Sequence, residues 1–320
     1  METVFINMCR RRSQRKRGTP VAQGPRSRRI GRVAALSAAA LTAIGSVSAC
    51  SSGAGHPKAA DIAASTEVWA SVARAVTGDQ LSVRAIMTGA DTDPHSFQAT
   101  PSDAAALLDA RLVVYNGGGY DSWVDSVLDG RRNVRAVAAY QFRHGSNEHV
   151  FYDLDVAKSV ASAVAEQLST IDPAEAATYR GNAATFSRDA DGIADAEHAI
   201  ATSHPAAGVI ATEPVVYYLL RATGLTDRTP PAFTEAGEND TEPAPADMAT
   251  VLDLVEHRDV AAVLVNPQTS TAAIARVLET AKRAGVPIVE VSETMPDATN
   301  YLSWQRNTVE RLTTALGSAR

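Results

Sequence analysis

"DPAEAATYRGNAATFSRDADGIADAEHAI", residues 172–200, decides how this chain is put together. Tyr179, Ala183, Phe186, Ala190 and Ile193 recur every three or four residues, the period of one helix face. The stretch opens with Asp172, Pro173 and Glu175, which read as an N-cap, a first-turn proline and an acidic third position. Unbroken to about Ile200, such a helix runs on the order of 40 Å at about 1.5 Å per residue. Upstream, Val156, Val160, Val164 and Leu168 recur every four. The region 151–203 therefore reads as a helical spar.

On either side the pattern changes to short apolar runs, rich in β-branched residues, that alternate with helical segments. That alternation marks α/β units around mainly parallel sheets. Before the spar the candidate strands are "DIAAST", "LSVRAIM", "RLVVYN" and "NVRAV"; after it they are "GVIAT", "AAVLVN" and "PIVEV". The expected fold is α/β, with two lobes at 61–150 and 204–320, each a mainly parallel sheet flanked by helices, joined by one long central helix.

The first 60 residues belong to neither lobe. Ten Lys and Arg residues between Arg10 and Arg32 precede "VAALSAAALTAIGSVSAC", residues 33–50. A positive segment, a short apolar run and small residues at a cut form a secretory signal, here 1–49. "VSAC" resembles a bacterial lipobox, which implies cleavage before Cys50 and a lipid on its sulfur, with 50–60 as a flexible lipidated tether. A signal anchor with an incidental cysteine is the competing reading of the same residues. The chain carries 30 Lys+Arg and 36 Asp+Glu. Without the ten basic residues and Glu2, 20 face 35, and the remaining part is near −15. So acidic a surface excludes nucleic acid as a partner, because neutralising phosphates needs Lys and Arg. Cys9 leaves with the signal, so no thiol remains for a disulfide, a thiolate metal site or a nucleophile once Cys50 is lipidated. A phosphate-binding G-x-x-x-x-G-K-[ST] loop and an H-E-x-x-H motif are both missing from the sequence.

Open α/β sheets bind ligands beyond the carboxyl ends of their strands. His95 lies in the loop after "LSVRAIM", Glu213 ends "GVIATEP", Glu293 follows "PIVEV" by two residues, and His149 closes the first lobe ahead of the spar. Two imidazoles and two carboxylates would thus reach one crevice from four loops. Singly, each has a plainer reading as a solvated loop residue or a helix-terminus carboxylate. His56, His144, His198, His204 and His257 lack such positions and read as surface residues. "EAGENDTEP" (235–243) reads as a solvated loop, and "NGGGYDSW" (116–123) as a strand exit with turn glycines.

The order of lipobox, "TDPHSFQATPSD", "DARLVVYNGGGYDSWV", "EHVFYDL", long helix, "IATEPVVYYLLRATG" and "VSETMPDATNYLSWQRN" resembles the manganese- and zinc-binding lipoproteins that deliver metal to ABC importers. The resemblance covers nearly all of the chain beyond the signal. It implies two α/β lobes joined by a long helix, metal held between them by one ligand from each of four loops, and no catalysis. His95 matches the family's first histidine and His149 its second. Glu213 stands where many zinc binders have histidine and many manganese binders glutamate. The fourth ligand is usually an aspartate in T-D-S; here Glu293 in S-E-T replaces it, with Asp297 and Asp240 as substitutes. The implied cargo is Mn2+ or Zn2+, Fe2+ also being compatible. The implied partners are an ABC permease and its ATPase, and the membrane through the lipid anchor, with the protein monomeric on the membrane's outer face. A secreted metallohydrolase or an adhesin with a structural metal uses the same residue types. Neutral imidazole suits Mn, Fe, Zn or Cu rather than Mg or Ca, and the absence of thiolate disfavours copper(I). The glutamate at 213 tilts the set toward manganese, modestly, since zinc outcompetes manganese at most N/O sites of equal geometry.

Overall fold

The computed structural model describes residues 60–89, 97–239 and 241–318. Cys50 and the expected signal lie outside them. Among the described residues eight strands form two separate four-stranded sheets, every pairing parallel. The first holds β1 (Ile62–Thr66), β2 (Val83–Met87), β3 (Leu112–Tyr115) and β4 (Ala136–Ala138) in the order β2-β1-β3-β4. The second holds β5 (Gly208–Ala211), β6 (Thr226–Asp227), β7 (Ala262–Val265) and β8 (Ile288–Glu290) in the order β6-β5-β7-β8. Each of the seven runs read from the sequence overlaps a strand, although β4 shares only Ala136 and Val137 with "NVRAV". The eighth, β6, is two residues long, too short to leave an apolar run.

Helices α1 (Glu67–Thr77), α2 (Pro101–Asp109) and α3 (Ser122–Leu128) belong to the first lobe. Helices α4 (Leu154–Ile171) and α5 (Ala176–Ser203) form the spar; α6 (Tyr217–Thr223), α7 (Pro231–Glu238), α8 (Pro245–Glu256) and α9 (Ala272–Ala284) serve the second lobe, followed by α10 (Tyr301–Ser318). This is the two-lobed parallel α/β architecture joined by a long helix. Its 28 residues give α5 a length of roughly 42 Å. The spar begins differently from its sequence reading. Pro173–Glu175 form a single 3-10 turn, and Asp172 makes no side-chain cap. Its carboxylate instead accepts a hydrogen bond from the Tyr179 hydroxyl at 3.0 Å, one helical turn into α5. The α2 start follows its sequence: Thr100 and Asp103 form a reciprocal capping box ahead of Pro101.

Strand alternation sorts the interior into three clusters. Ile62, Ala64, Leu112 and Val114 face the same apolar cluster as Val209, Ala211, Ala262 and Leu264 of the other sheet, together with the buried faces of α4, α5 and α10. Ala63 and Val113 face a smaller cluster under α2 and α3; Ile210 and Val263 face another under α8 and α9. Both sheets are thus apolar on both faces, as parallel sheets require. One core runs continuously through both lobes. Phe186 of α5 meets Tyr301 of α10 with ring centroids 5.8 Å apart, and truncating such a buried phenylalanine to alanine costs about 3–5 kcal/mol. Helix α10 also reaches the first lobe by hydrogen bonds. The Tyr301 amide donates to Ser71 Oγ at 2.9 Å, and the Tyr301 hydroxyl and Gln305 Nε2 both donate to the Phe151 carbonyl, at 2.8 and 3.1 Å.

Candidate metal centre

His149 sits at the start of a 3-10 turn, Val150–Tyr152, after the first sheet. The segment is held by Asn116, which directly follows β3. Asn116 Nδ2 donates to the Glu148 carbonyl at 2.8 Å, while its Oδ1 accepts from Trp69 Nε1 at 3.2 Å. The glycines after Asn116 form the expected strand exit. Gly118 has φ +72°, and a Cβ there would lie 2.5 Å from the Tyr140 ring. Asp121 closes this turn by accepting from the Asn116 and Gly117 amides, each at 2.7 Å. Burial raises the Asp121 pKa above the usual carboxylate range against the lowering effect of those hydrogen bonds.

The imidazole of His149 is fully buried, with the rings of Tyr120 and Phe151 edge-on at centroid distances of 5.8 Å each. Asn147 Oδ1 accepts from the His149 backbone amide at 2.8 Å and lies 3.0 Å from His149 Nδ1. An oxygen already accepting from that amide makes Nδ1 the protonated nitrogen. The lone pair is then on Nε2, the arrangement a metal-binding histidine needs. His149 Nε2 lies 3.9 Å from Glu293 Oε2.

Both carboxylates come from the second lobe, just past strand ends. Glu213 is two residues beyond β5 and Glu293 three beyond β8; they are 4 % and 6 % exposed. Asn266, immediately after β7 and 2 % exposed, donates through Nδ2 to Glu213 Oε2 at 2.8 Å and to Glu293 Oε1 at 3.2 Å. Gln268 Oε1 accepts from the Glu293 amide at 3.0 Å. Across the crevice, Asn147 Nδ2 donates to the Pro214 carbonyl at 3.1 Å, and the Tyr218 hydroxyl to the Asn147 carbonyl at 2.8 Å. The Tyr152 hydroxyl donates to the Ser292 carbonyl at 2.9 Å, and burial keeps that phenol protonated by raising its pKa. The loops that carry His149, Glu213 and Glu293 are therefore tied to one another between the lobes.

The geometry brings together three of the four residues singled out from the sequence. His95 lies outside the described residues, as does Asp240. Asp297 is exposed, while Glu293 takes the buried place. The sequence reading missed Asn147, Asn266 and Gln268, since an Asn or Gln after a strand looks like turn chemistry. It also misread part of "EAGENDTEP": residues 235–238 close α7, which packs with Gly237 buried against the 212–213 peptide. Of the surface histidines, His144 has a ligand atom within 4.8 Å of ligand atoms of Asp153 and Asp155. That cluster is already engaged: Asp153 Oδ1 caps α4, and Lys158 Nζ lies 2.7 Å from Asp155. Among the described residues no helix is long and apolar enough to cross a membrane.

Buried polar groups supplied from both sides, where two α/β lobes meet along one spar, make a site suited to holding a small ligand between the lobes. The chain belongs to the family described as zinc-uptake complex component A, periplasmic (ZnuA), which matches it over residues 62–315. It is 22 % identical over 301 residues to the manganese-binding lipoprotein MntA of Bacillus subtilis, a match covering 86 % of this chain and 94 % of that one. Its fold is similar to that of the laminin-binding protein Lmb of Streptococcus agalactiae, described as a bifunctional protein with adhesin and metal transporting activity; the TM-score is 0.68 at 22 % identity, over 80 % of this chain and 98 % of that one. It is also similar to the periplasmic zinc-binding protein TroA of Treponema pallidum, with a TM-score of 0.67 at 20 % identity over 80 % and 98 % of the two chains. Membership makes this chain the extracytoplasmic metal-capturing component of an ABC importer, with a permease as its partner.

Proposed function

We propose that this protein is anchored by a lipid on Cys50 to the outer face of the cytoplasmic membrane. It captures Mn2+ or Zn2+ through His95, His149, Glu213 and Glu293 and hands the ion, as a monomer, to a permease driven by its ATPase. The lobes at 61–150 and 204–320 flank the helical region 151–203, behind a signal at 1–49 and a tether at 50–60. One observation carries the ligand assignment: a buried imidazole whose Nδ1 is held by Asn147 presents Nε2 to a buried carboxylate pair from the other lobe. Imidazole with two carboxylates is an N/O donor set of the first transition row, and it neutralises a dication. Relatives named for manganese and for zinc support either ion as cargo.

The test is metal titration of the purified protein with thermal unfolding. An ion that binds only the folded state adds about 2.7 kcal/mol at a hundredfold excess over Kd. The melting midpoint should rise with Mn2+ or Zn2+, and His149→Ala and Glu213→Ala should each abolish the rise. X-ray scattering profiles should stay similar with and without metal, because the continuous core and the spar oppose a large lobe closure. No metal-dependent shift in the wild type would remove this reading.

A further inference from the structure

We propose that Asn266 limits each of the two carboxylates to a single bond with the ion and so moves the metal preference of the site toward zinc. The inference rests on the proposed ligand set of His95, His149, Glu213 and Glu293. Asn266 Oδ1 accepts from the Gln268 amide at 3.1 Å, which orients the side-chain amide with Nδ2 toward the carboxylates. One nitrogen then donates to Glu213 Oε2 at 2.8 Å and to Glu293 Oε1 at 3.2 Å. Both of its protons are thereby used, one on an oxygen of each glutamate. A cation in the crevice meets each carboxylate through the other oxygen, and for Glu293 that is the Oε2 atom 3.9 Å from His149 Nε2.

The residue type matters as much as its place. Two carboxylates brought together in a buried site repel when both carry charge, and a lysine or arginine between them would neutralise the pair but compete with a metal dication. A neutral amide does neither: it holds the two apart at fixed positions and leaves their charge for the ion. Two glutamates free to chelate would offer four oxygens and favour manganese, which prefers oxygen-rich, higher-coordinate surroundings. Restricted to one oxygen each, beside the two imidazoles of the proposed ligand set, they make up four ligand atoms, the number zinc takes. Asn266 thus offsets the tilt toward manganese that a glutamate at position 213 produces.

The experiment compares wild type with Asn266→Ala by competition titration with Zn2+ and Mn2+, alongside X-ray absorption of the zinc- and manganese-loaded wild type. Losing a hydrogen bond to a metal ligand costs about 10–100-fold in metal affinity. In Asn266→Ala zinc should bear that loss while manganese recovers part of it through chelation, so the zinc-to-manganese affinity ratio should fall by about tenfold, equal to about 1.4 kcal/mol. The zinc-loaded wild type should have four N/O neighbours at about 2.0–2.2 Å and no chelating carboxylate. An unchanged or rising ratio, or a chelating carboxylate in the wild type, overturns the role of Asn266. Should Asn266→Ala fail to fold, the wild-type spectrum alone decides. Failure of the ligand assignment looks different: His149→Ala and Glu213→Ala would then bind metal like the wild type.

Discussion

Gly237→Ala tests how tightly α7 holds the glutamate at the site. A Cβ at position 237 would lie 2.5 Å from the Thr212 carbonyl oxygen and 3.4 Å from Glu213 Cγ. The nearer atom is backbone, so no change of rotamer relieves the clash. Either α7 or the 212–213 peptide must retreat by about 1 Å to restore ordinary contact. Overpacking of this kind costs about 1–3 kcal/mol. Gly192, inside α5, is the matched control, because a Cβ there meets nothing within 4 Å. Alanine in a helix interior is favoured over glycine by roughly 0.5–1 kcal/mol. At about 2–4 °C per kcal/mol for a domain of this size, Gly237→Ala should lower the melting midpoint by roughly 2–12 °C and Gly192→Ala raise it by roughly 1–4 °C. Calorimetry reads both, and a metal titration of each variant reads the site. Gly237→Ala should also weaken metal binding, since the displaced peptide carries the proposed ligand Glu213, whereas Gly192→Ala should leave affinity unchanged. The reasoning fails if the two substitutions shift the midpoint in the same direction, or if Gly237→Ala is both fully stable and unaltered in affinity.

Glu213→His exchanges a proposed oxygen ligand for a nitrogen and removes a carboxylate, so the zinc-to-manganese affinity ratio at neutral pH should rise; a ratio that stays level or falls takes metal preference away from position 213. Cys50→Ser should release the protein into the medium, because it removes the proposed site of the lipid chains, and tight membrane association with the 1–49 segment still attached would support the signal-anchor reading. Glu197 of α5 is buried, and desolvation, reinforced by Asp153 and Asp155, pushes its pKa from 4.5 up to about 8. The folded state therefore holds this proton more tightly than the unfolded state, and stability from this group is present below pH 4.5 and lost as pH rises toward 8, by at most about 1.4 kcal/mol per unit. Glu197→Gln keeps the shape without the titration, so its melting midpoint should gain on the wild type between pH 5 and pH 8; a pH-independent difference would contradict the burial argument.

The two-lobed plan was legible because parallel strands buried on both faces leave continuous apolar runs, and because Tyr179, Phe186 and Ile193 mark one face of a helix too long to be a crossover. The strand β6 was not legible: Thr226 and Asp227 are polar, and their pairing with β5 is set by the neighbouring sheet, not by local preference. In the proposed site, the sequence points to His149, Glu213 and Glu293 because each stands just past a strand or at the close of a lobe. Asn266 occupies the same kind of position, after "AAVLV", and asking of every polar residue at a strand's carboxyl end what it would face could have found it. What no pattern in the sequence conveys is that its amide lies between two carboxylates 53 and 27 residues away. That depends on how β5, β7 and β8 lie side by side.

The attachment of α10 to the Phe151 carbonyl, two residues from His149, bears on when the receptor becomes competent. Contacts between residues far apart in sequence form late, since a long loop must close before they repay its entropy. Tyr301 and Gln305 are 150 and 154 residues from Phe151. A growing polypeptide has the whole first sheet available long before the latch beside the histidine exists. The latch beside His149 therefore closes only once synthesis has passed α10.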